Sequence, residues 1–140
     1  MSLSTYQRHL DNIPKQYRLL KLFRPPIYVI ELSNNQVSAV CYYKDGSSKR
    51  HQVNAAFSNR RMVIADFLSA VQAITDLLLK FPKHPFGISS FAVVNVTEEL
   101  IDGLTMIEIK AIREAVWAAS GQAKRRIVSS TVNYQGQVVS

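Results

Sequence analysis

One carboxylate stands near the end of an apolar run and is followed by a polar turn. In the stretch IYVIELSNNQV, residues 27–37, Glu31 precedes Ser33, Asn34, Asn35 and Gln36. Many phosphate-binding loops begin this way: the carboxylate faces a metal ion, and the loop's N–H groups and hydroxyls meet phosphate oxygens. Three readings of the stretch are open: a nucleotide site, the remnant of one, or a strand running into a turn. Glu31 also admits a second chemistry. Two-metal nucleases need clustered carboxylates, and Asp66 and Asp102 are the further candidates.

Other chemistries find less support. His9, His51 and His84 are widely spaced and lack partners at metal-ligand spacing. The single cysteine, Cys41, excludes an intrachain disulfide and a cysteine-built zinc site, and its mid-strand position suits a buried, inert thiol. Neither Gly-x-x-x-x-Gly-Lys-Ser/Thr nor Gly-x-Ser-x-Gly occurs, and Ser89-Ser90 has no neighbouring base. Outside the 27–37 stretch the expectation is therefore no catalytic residue, no metal and no cofactor.

Charge points to an anionic partner. Seventeen basic residues against ten acidic ones give a formal charge of +7, which suits an acidic protein, nucleic acid or a membrane surface. The basic residues gather loosely at 15–24, 44–61 and 122–126. Arg18, Lys21, Arg24, Lys124, Arg125 and Arg126 are the candidate anion or partner contacts; the plain alternative is a solvated basic surface. No stretch approaches the ~20 apolar residues that span a bilayer. The opening MSLSTYQRHL lacks the apolar run of a signal peptide. A cytoplasmic location is expected, with room for attachment to the inner face of the membrane.

The elements that must position these groups follow from periodicity. Tyr6, Leu10, Ile13, Tyr17 and Leu20 form a helical stripe broken at Pro14, and Pro25-Pro26 stops it. Residues 1–24 thus read as a basic amphipathic helical segment and 25–140 as one domain. Strands are expected at 27–32, 36–43 and 48–56, with Lys44-Asp45-Gly46-Ser47 as a hairpin turn. Ile64, Phe67, Leu68, Val71, Ile74, Leu78 and Phe81 mark a helix of about five turns, ended by Pro82 and Pro85. GISSFAVVNV, 87–96, reads as a central strand covered on both faces. Thr105 with Glu108 reads as a capping box, and the helix it opens carries Ile109, Ile112, Val116 and a core Trp117 to a stop at Gly121. A fifth strand is expected at 124–132, with a last turn at Gly136. The order β-β-β-α-β-α-β, three antiparallel strands extended by parallel ones, describes a ribonuclease-H-like α/β layer with an N-terminal helical segment.

Two segments carry a family resemblance. GLTMIEIKAIREA, 103–115, resembles the Gly-Ala-Thr-x-Val-Glu-Arg-Arg-Ala-Ile-Arg-Glu segment of MreB, the bacterial actin homologue. Gly103, Thr105, Glu108, Ala111, Ile112, Arg113 and Glu114 fall in register. MVIADF, 62–67, is similar to the family's Gly-Val-Ile-Ala-Asp-Phe. The likeness covers roughly residues 27–128 and implies an actin-like subdomain, with Glu31 to Gln36 at the first phosphate loop.

Departures from the family pattern set the functional expectation. The family's Asp-Leu-Gly-Thr is here Glu31, Leu32, Ser33 and Asn34. Glu31 is a methylene longer and would crowd magnesium, and Ser33 lacks the backbone freedom of glycine. Where the family has the carboxylate that orients water, this chain has Ser129, Ser130 and Thr131, hydroxyls that are poor bases. The second half of the nucleotide clasp lies beyond the resembling region. The resemblance thus implies a vestigial phosphate loop of Glu31, Ser33, Asn34, Asn35 and Gln36. It also implies a non-enzymatic protein-interaction module, an adaptor in a cell-shape, secretion, pilus or partition assembly. The other reading is a basic protein that binds nucleic acid or a membrane surface.

Overall fold

Proline sets the first break where the sequence requires it. The computed structural model describes residues 3–58, 63–83, 89–97, 103–135 and 137–139. Helix α1 spans Leu3–Asp11; past Pro14 a 3-10 turn at Lys15–Tyr17 leads into a short α2, Arg18–Leu22. Strands β1 (Ile27–Ser33), β2 (Gln36–Tyr42) and β3 (Ser48–Asn54) follow, then α3 (Phe67–Leu79), β4 (Ser90–Val96), α4 (Met106–Ala123), β5 (Ile127–Tyr134) and β6 (Gln137–Val138). Arg60, Arg61, Met62, His84, Pro85, Asp102 and Gly136 lie outside the described residues, as does the start of the expected 87–96 strand.

The strands form one mixed sheet in the order β3-β2-β1-β4-β5-β6. β1, β2 and β3 are antiparallel, β4 and β5 run parallel to β1, and the two-residue β6 turns back antiparallel on β5. This is the ribonuclease-H-like arrangement expected from the element order, with one short edge strand added. The Asp-Gly hairpin forms as expected: Gly46 has φ 89° and the Asp45 carboxylate accepts from the Ser47 N–H at 2.8 Å.

Period-two alternation separates two cores. Tyr28, Ile30 and Leu32 of β1, Val37, Ala39 and Cys41 of β2, and Ala92, Val94 and Val96 of β4 face α3 and α4. The opposite face packs Ile27, Tyr42 and Phe91 under Tyr6, Leu10 and Ile13 of the N-terminal segment. The Tyr6 hydroxyl donates to the Pro25 carbonyl at 2.7 Å, and burial pushes its pKa up to about 12. Cys41 is buried, and burial pushes its thiol to about 12, so it is an inert packing group. Among the described residues, no helix is long and apolar enough to cross a membrane.

Three local expectations change. The helix expected from Ile64 to Phe81 is shorter, Phe67–Leu79, because the Asp66 carboxylate caps it by accepting from the Ser69 N–H at 3.1 Å. Ile64 and Phe81 are buried just outside its ends. Gly121 does not stop α4. The helix runs on to Ala123, and Lys124 takes the left-handed conformation at φ 56° while the Arg125 N–H reaches back to the Ser120 carbonyl at 3.1 Å. Trp117 does not join the core: 73% of it is exposed. The capping box at the other end of α4 opens as expected, the Thr105 hydroxyl accepting from the Glu108 N–H at 3.2 Å.

Candidate functional site

The carboxyl end of β1 places the expected loop in a tight hairpin. Ser33 pairs with Gln36, leaving Asn34 and Asn35 as the turn, with Asn35 at φ 55°. Asparagine tolerates that left-handed conformation better than most side chains. The Asn35 N–H donates to Ser58 Oγ at 3.0 Å, and its Oδ1 accepts from the N–H groups of Phe57 and Ser58 at 2.9 and 2.8 Å. Its carbonyl accepts from the Ala55 N–H at 3.1 Å. Asn35 therefore ties the β1–β2 hairpin to the chain leaving β3. A phosphate loop needs donors directed at the ligand; here the Asn35 N–H is directed at the protein's own hydroxyl.

Glu31 is exposed on the face of the sheet opposite α3 and α4. Register places Asn95 beside it on β4 and Asn133 beside that on β5. Asn133 Nδ2 donates to Asn95 Oδ1 at 3.0 Å. Sequence reasoning passed over both asparagines; their signal was a polar residue at the same parity in two strands otherwise rich in apolar and hydroxyl side chains. The row contains one carboxylate and two amides. Of the other nuclease candidates, Asp66 is occupied as the α3 cap and Asp102 lies outside the described residues. Among the described residues, no three His, Cys, Asp or Glu side chains converge as a metal site.

On β5, Ser129 and Thr131 share a depression of about 20 Å³ with His9, room for about one water. His9 is half-buried with its ring 5.0 Å from that of Tyr42, and burial lowers its pKa.

The six candidate cations do not form one patch. Arg18 and Arg24 are exposed on the N-terminal segment, and Lys21 Nζ reaches the Ile13 carbonyl at 3.5 Å. The Arg24 guanidinium lies 5.4 Å from the centre of the Tyr6 ring. Arg125 departs from expectation altogether. It is buried, with Nε and Nη2 donating to the Phe81 carbonyl at 3.2 and 2.7 Å and Nη1 to Ala123 at 2.7 Å. It closes the junction between the ends of α3 and α4. Lys124 and Arg126 stay exposed.

Those two belong to a different site, centred on Trp117. Met106, Lys110, Arg113 and Trp117 fall on one stripe of α4 at three- and four-residue steps. They line a depression of about 560 Å³ against Ile127, Val128 and Ser130 of β5 and Val139. On its other side Trp117 walls a second depression with Lys124, Arg126 and Val128. Met106 is 81% exposed and Val128 37%. A signal for this face was present in the sequence. Ala115, Ala119 and Ala123 recur every four residues and are buried, and Trp117 sits well off that line.

No protein-family model matches the chain, and no curated protein gives a significant match. Among solved structures the chain is similar to the ethanolamine utilization protein EutJ from Carboxydothermus hydrogenoformans, at 14% identity over 78% of this chain with a TM-score of 0.48. It is also similar to the Aquifex aeolicus PPX-GPPA enzyme, at 13% identity over 78% of this chain with a TM-score of 0.38. The chain spans 37% and 36% of those two proteins. The fold class rests on its own strand order and directions.

Proposed function

We propose that this chain is a non-enzymatic interaction module: an actin-like half-domain, related in pattern to MreB, that holds a partner protein instead of turning over nucleotide. An adaptor in a cell-shape, secretion, pilus or partition assembly is the role such a module would fill. The observation that carries the reading is the α4–β5 groove, where a large aromatic ring is left in water between two depressions. Tryptophan is among the residues most enriched at the hot spots of protein interfaces. The hairpin at Glu31 supports the other half of the proposal, because Asn35 is bonded to the protein's own backbone and to Ser58.

Charge selects the partner. Lys110, Arg113, Lys124 and Arg126 rim the two depressions, against the single carboxylate of Glu114. Glu114 lies 3.9 Å from Lys110 across an exposed pair, which contributes little. An acidic amphipathic segment, apolar on one face and carboxylate-rich along its edges, fits this groove in shape and sign.

A random peptide library displayed on phage tests the reading. Enriched peptides should combine apolar anchors with Asp or Glu, blue-shift the emission of Trp117 (the only tryptophan), and bind less tightly in high salt. Trp117→Ala should weaken them by roughly 2 kcal/mol while leaving the fold intact. No enrichment, or peptides that bind Trp117→Ala equally well, would overturn the proposal.

A further inference from the structure

A second concave site lies away from the α4–β5 groove, where the end of α2 meets the β2–β3 hairpin. Phe23, Arg24, Tyr43, Lys44, Lys49 and Lys83 line a depression of about 440 Å³, floored partly by Pro26 and Pro82. Four cations converge there. The one acid among the lining residues, Asp45, accepts from both the hydroxyl and the N–H of Ser47, which hold its carboxyl below the usual carboxylate range. Its charge is turned into the hairpin turn. Burial, with Cys41 beside the hydroxyl, raises the Tyr43 phenol well above its ordinary value, so its ring is a neutral wall of the depression. Arg24 is held at φ 49° immediately before Pro25, a backbone conformation that residues preceding proline disfavour. Strain of this kind collects at ligand-binding positions.

We infer that this depression binds a phosphate group carried on an apolar body. Lys44, Lys49 and Lys83 supply the charge for a phosphate, and Phe23, Tyr43 and the two prolines supply flat apolar walls. Two sources share that chemistry: the headgroup of an anionic phospholipid and a soluble organic phosphate. The neighbouring surface favours the lipid. Leu19 and Leu22 of α2 are 71% and 78% exposed and Phe23 63%, placing apolar side chains beside the basic pocket as an interfacial segment requires. This site is independent of the partner groove.

The test has two arms, each read on the full chain. One measures co-sedimentation with vesicles of phosphatidylcholine alone or with added phosphatidylglycerol. The other follows backbone amide shifts on titration with phenyl phosphate. The expected result is binding to the anionic vesicles only, and saturable phenyl phosphate shifts at Arg24, Tyr43, Lys44 and Lys49. Lys44→Glu with Lys49→Glu should weaken both by about tenfold or more. Leu19→Ser with Leu22→Ser should abolish vesicle binding and leave the phenyl phosphate shifts. Phenyl phosphate binding without vesicle binding would support the pocket and assign it to a soluble ligand. Binding in neither arm, or binding that survives the lysine reversals, would overturn the inference. Trp117→Ala should change neither arm, so failure here and failure of the partner groove are separable.

Discussion

The β1–β2 hairpin and the α4–β5 groove treat their functional groups in opposite ways. At the hairpin, Asn35 engages its N–H, its carbonyl and its side-chain oxygen within the protein. At the groove, an indole and a methionine stay in water while the alanines behind them carry the packing. A polar group with its bonds made internally has little left to offer a ligand, and an apolar group left exposed has its burial still to gain. The difference teaches where to look. In the stretch that resembles a ligand loop, Asn35 ties the hairpin to the chain after β3, and in a stretch that resembles an ordinary helix, Trp117 is left exposed.

Arg125 and Trp117 make the same contrast eight positions apart. Their side chains exchange the places that residue type alone would give them: the charge is inside and the ring is outside. The largest expected effect follows from the arginine. Arg125→Met should destabilise the fold by roughly 3 kcal/mol, since it removes three hydrogen bonds from a buried cation and leaves the Phe81 and Ala123 carbonyls without those donors. Urea unfolding checks this, and a cost below that of an ordinary surface change would break the contrast.

Asn35→Ala comes next. It should cost about 2 kcal/mol by stripping the Phe57 and Ser58 N–H groups of their acceptor and by placing alanine at φ 55°. If Asn35 were retained for a ligand instead, stability would barely change. Lys124→Gly should act in the other direction and raise stability by about 1 kcal/mol, because glycine takes φ 56° without the Cβ penalty. Thermal unfolding would show a higher midpoint, together with weaker binding of acidic peptides once the groove loses a cation.

The smallest effect concerns pH. Burial, with the charge of neighbouring Arg8 adding to it, lowers the folded-state pKa of His9 below its unfolded value of about 6.5. The stability that this shift contributes is fully present above the unfolded pKa. It is lost as pH falls from there toward the folded pKa, because protons favour the unfolded chain. The midpoint should therefore drop between pH 7.5 and 5.5 by more in the wild type than in His9→Gln.

Much of the frame was legible in the chain itself. Pro14, the Asp45-Gly46 turn, the Thr105–Glu108 capping box and the period change between strands and helices each reflect chemistry within a few residues. The element order then pointed to three antiparallel strands extended by parallel ones, which the sheet shows with β6 added at its edge. What was not legible depends on residues far apart in sequence. Arg125 is buried because a carbonyl 44 positions earlier lies within reach. Ile64 and Phe81 continue the helical period but lie outside the helix, since the Asp66 cap and the core decide where it begins and ends. The Glu31, Asn95 and Asn133 row exists only through the register of three parallel strands. Trp117 sat beside the apolar stripe of α4, and only the line of buried alanines tells the two apart.

One measurement tests the central claim, that the hairpin resembling a phosphate loop is closed to nucleotide. Backbone amide shifts would be followed as magnesium and ATP are titrated into the full chain. The account predicts that the amides of Ser33, Asn34, Asn35 and Gln36 stay in place at millimolar ATP, with any movement confined to the basic pocket around Lys44 and Lys49. Saturable shifts centred on those four hairpin amides at micromolar ATP would contradict it.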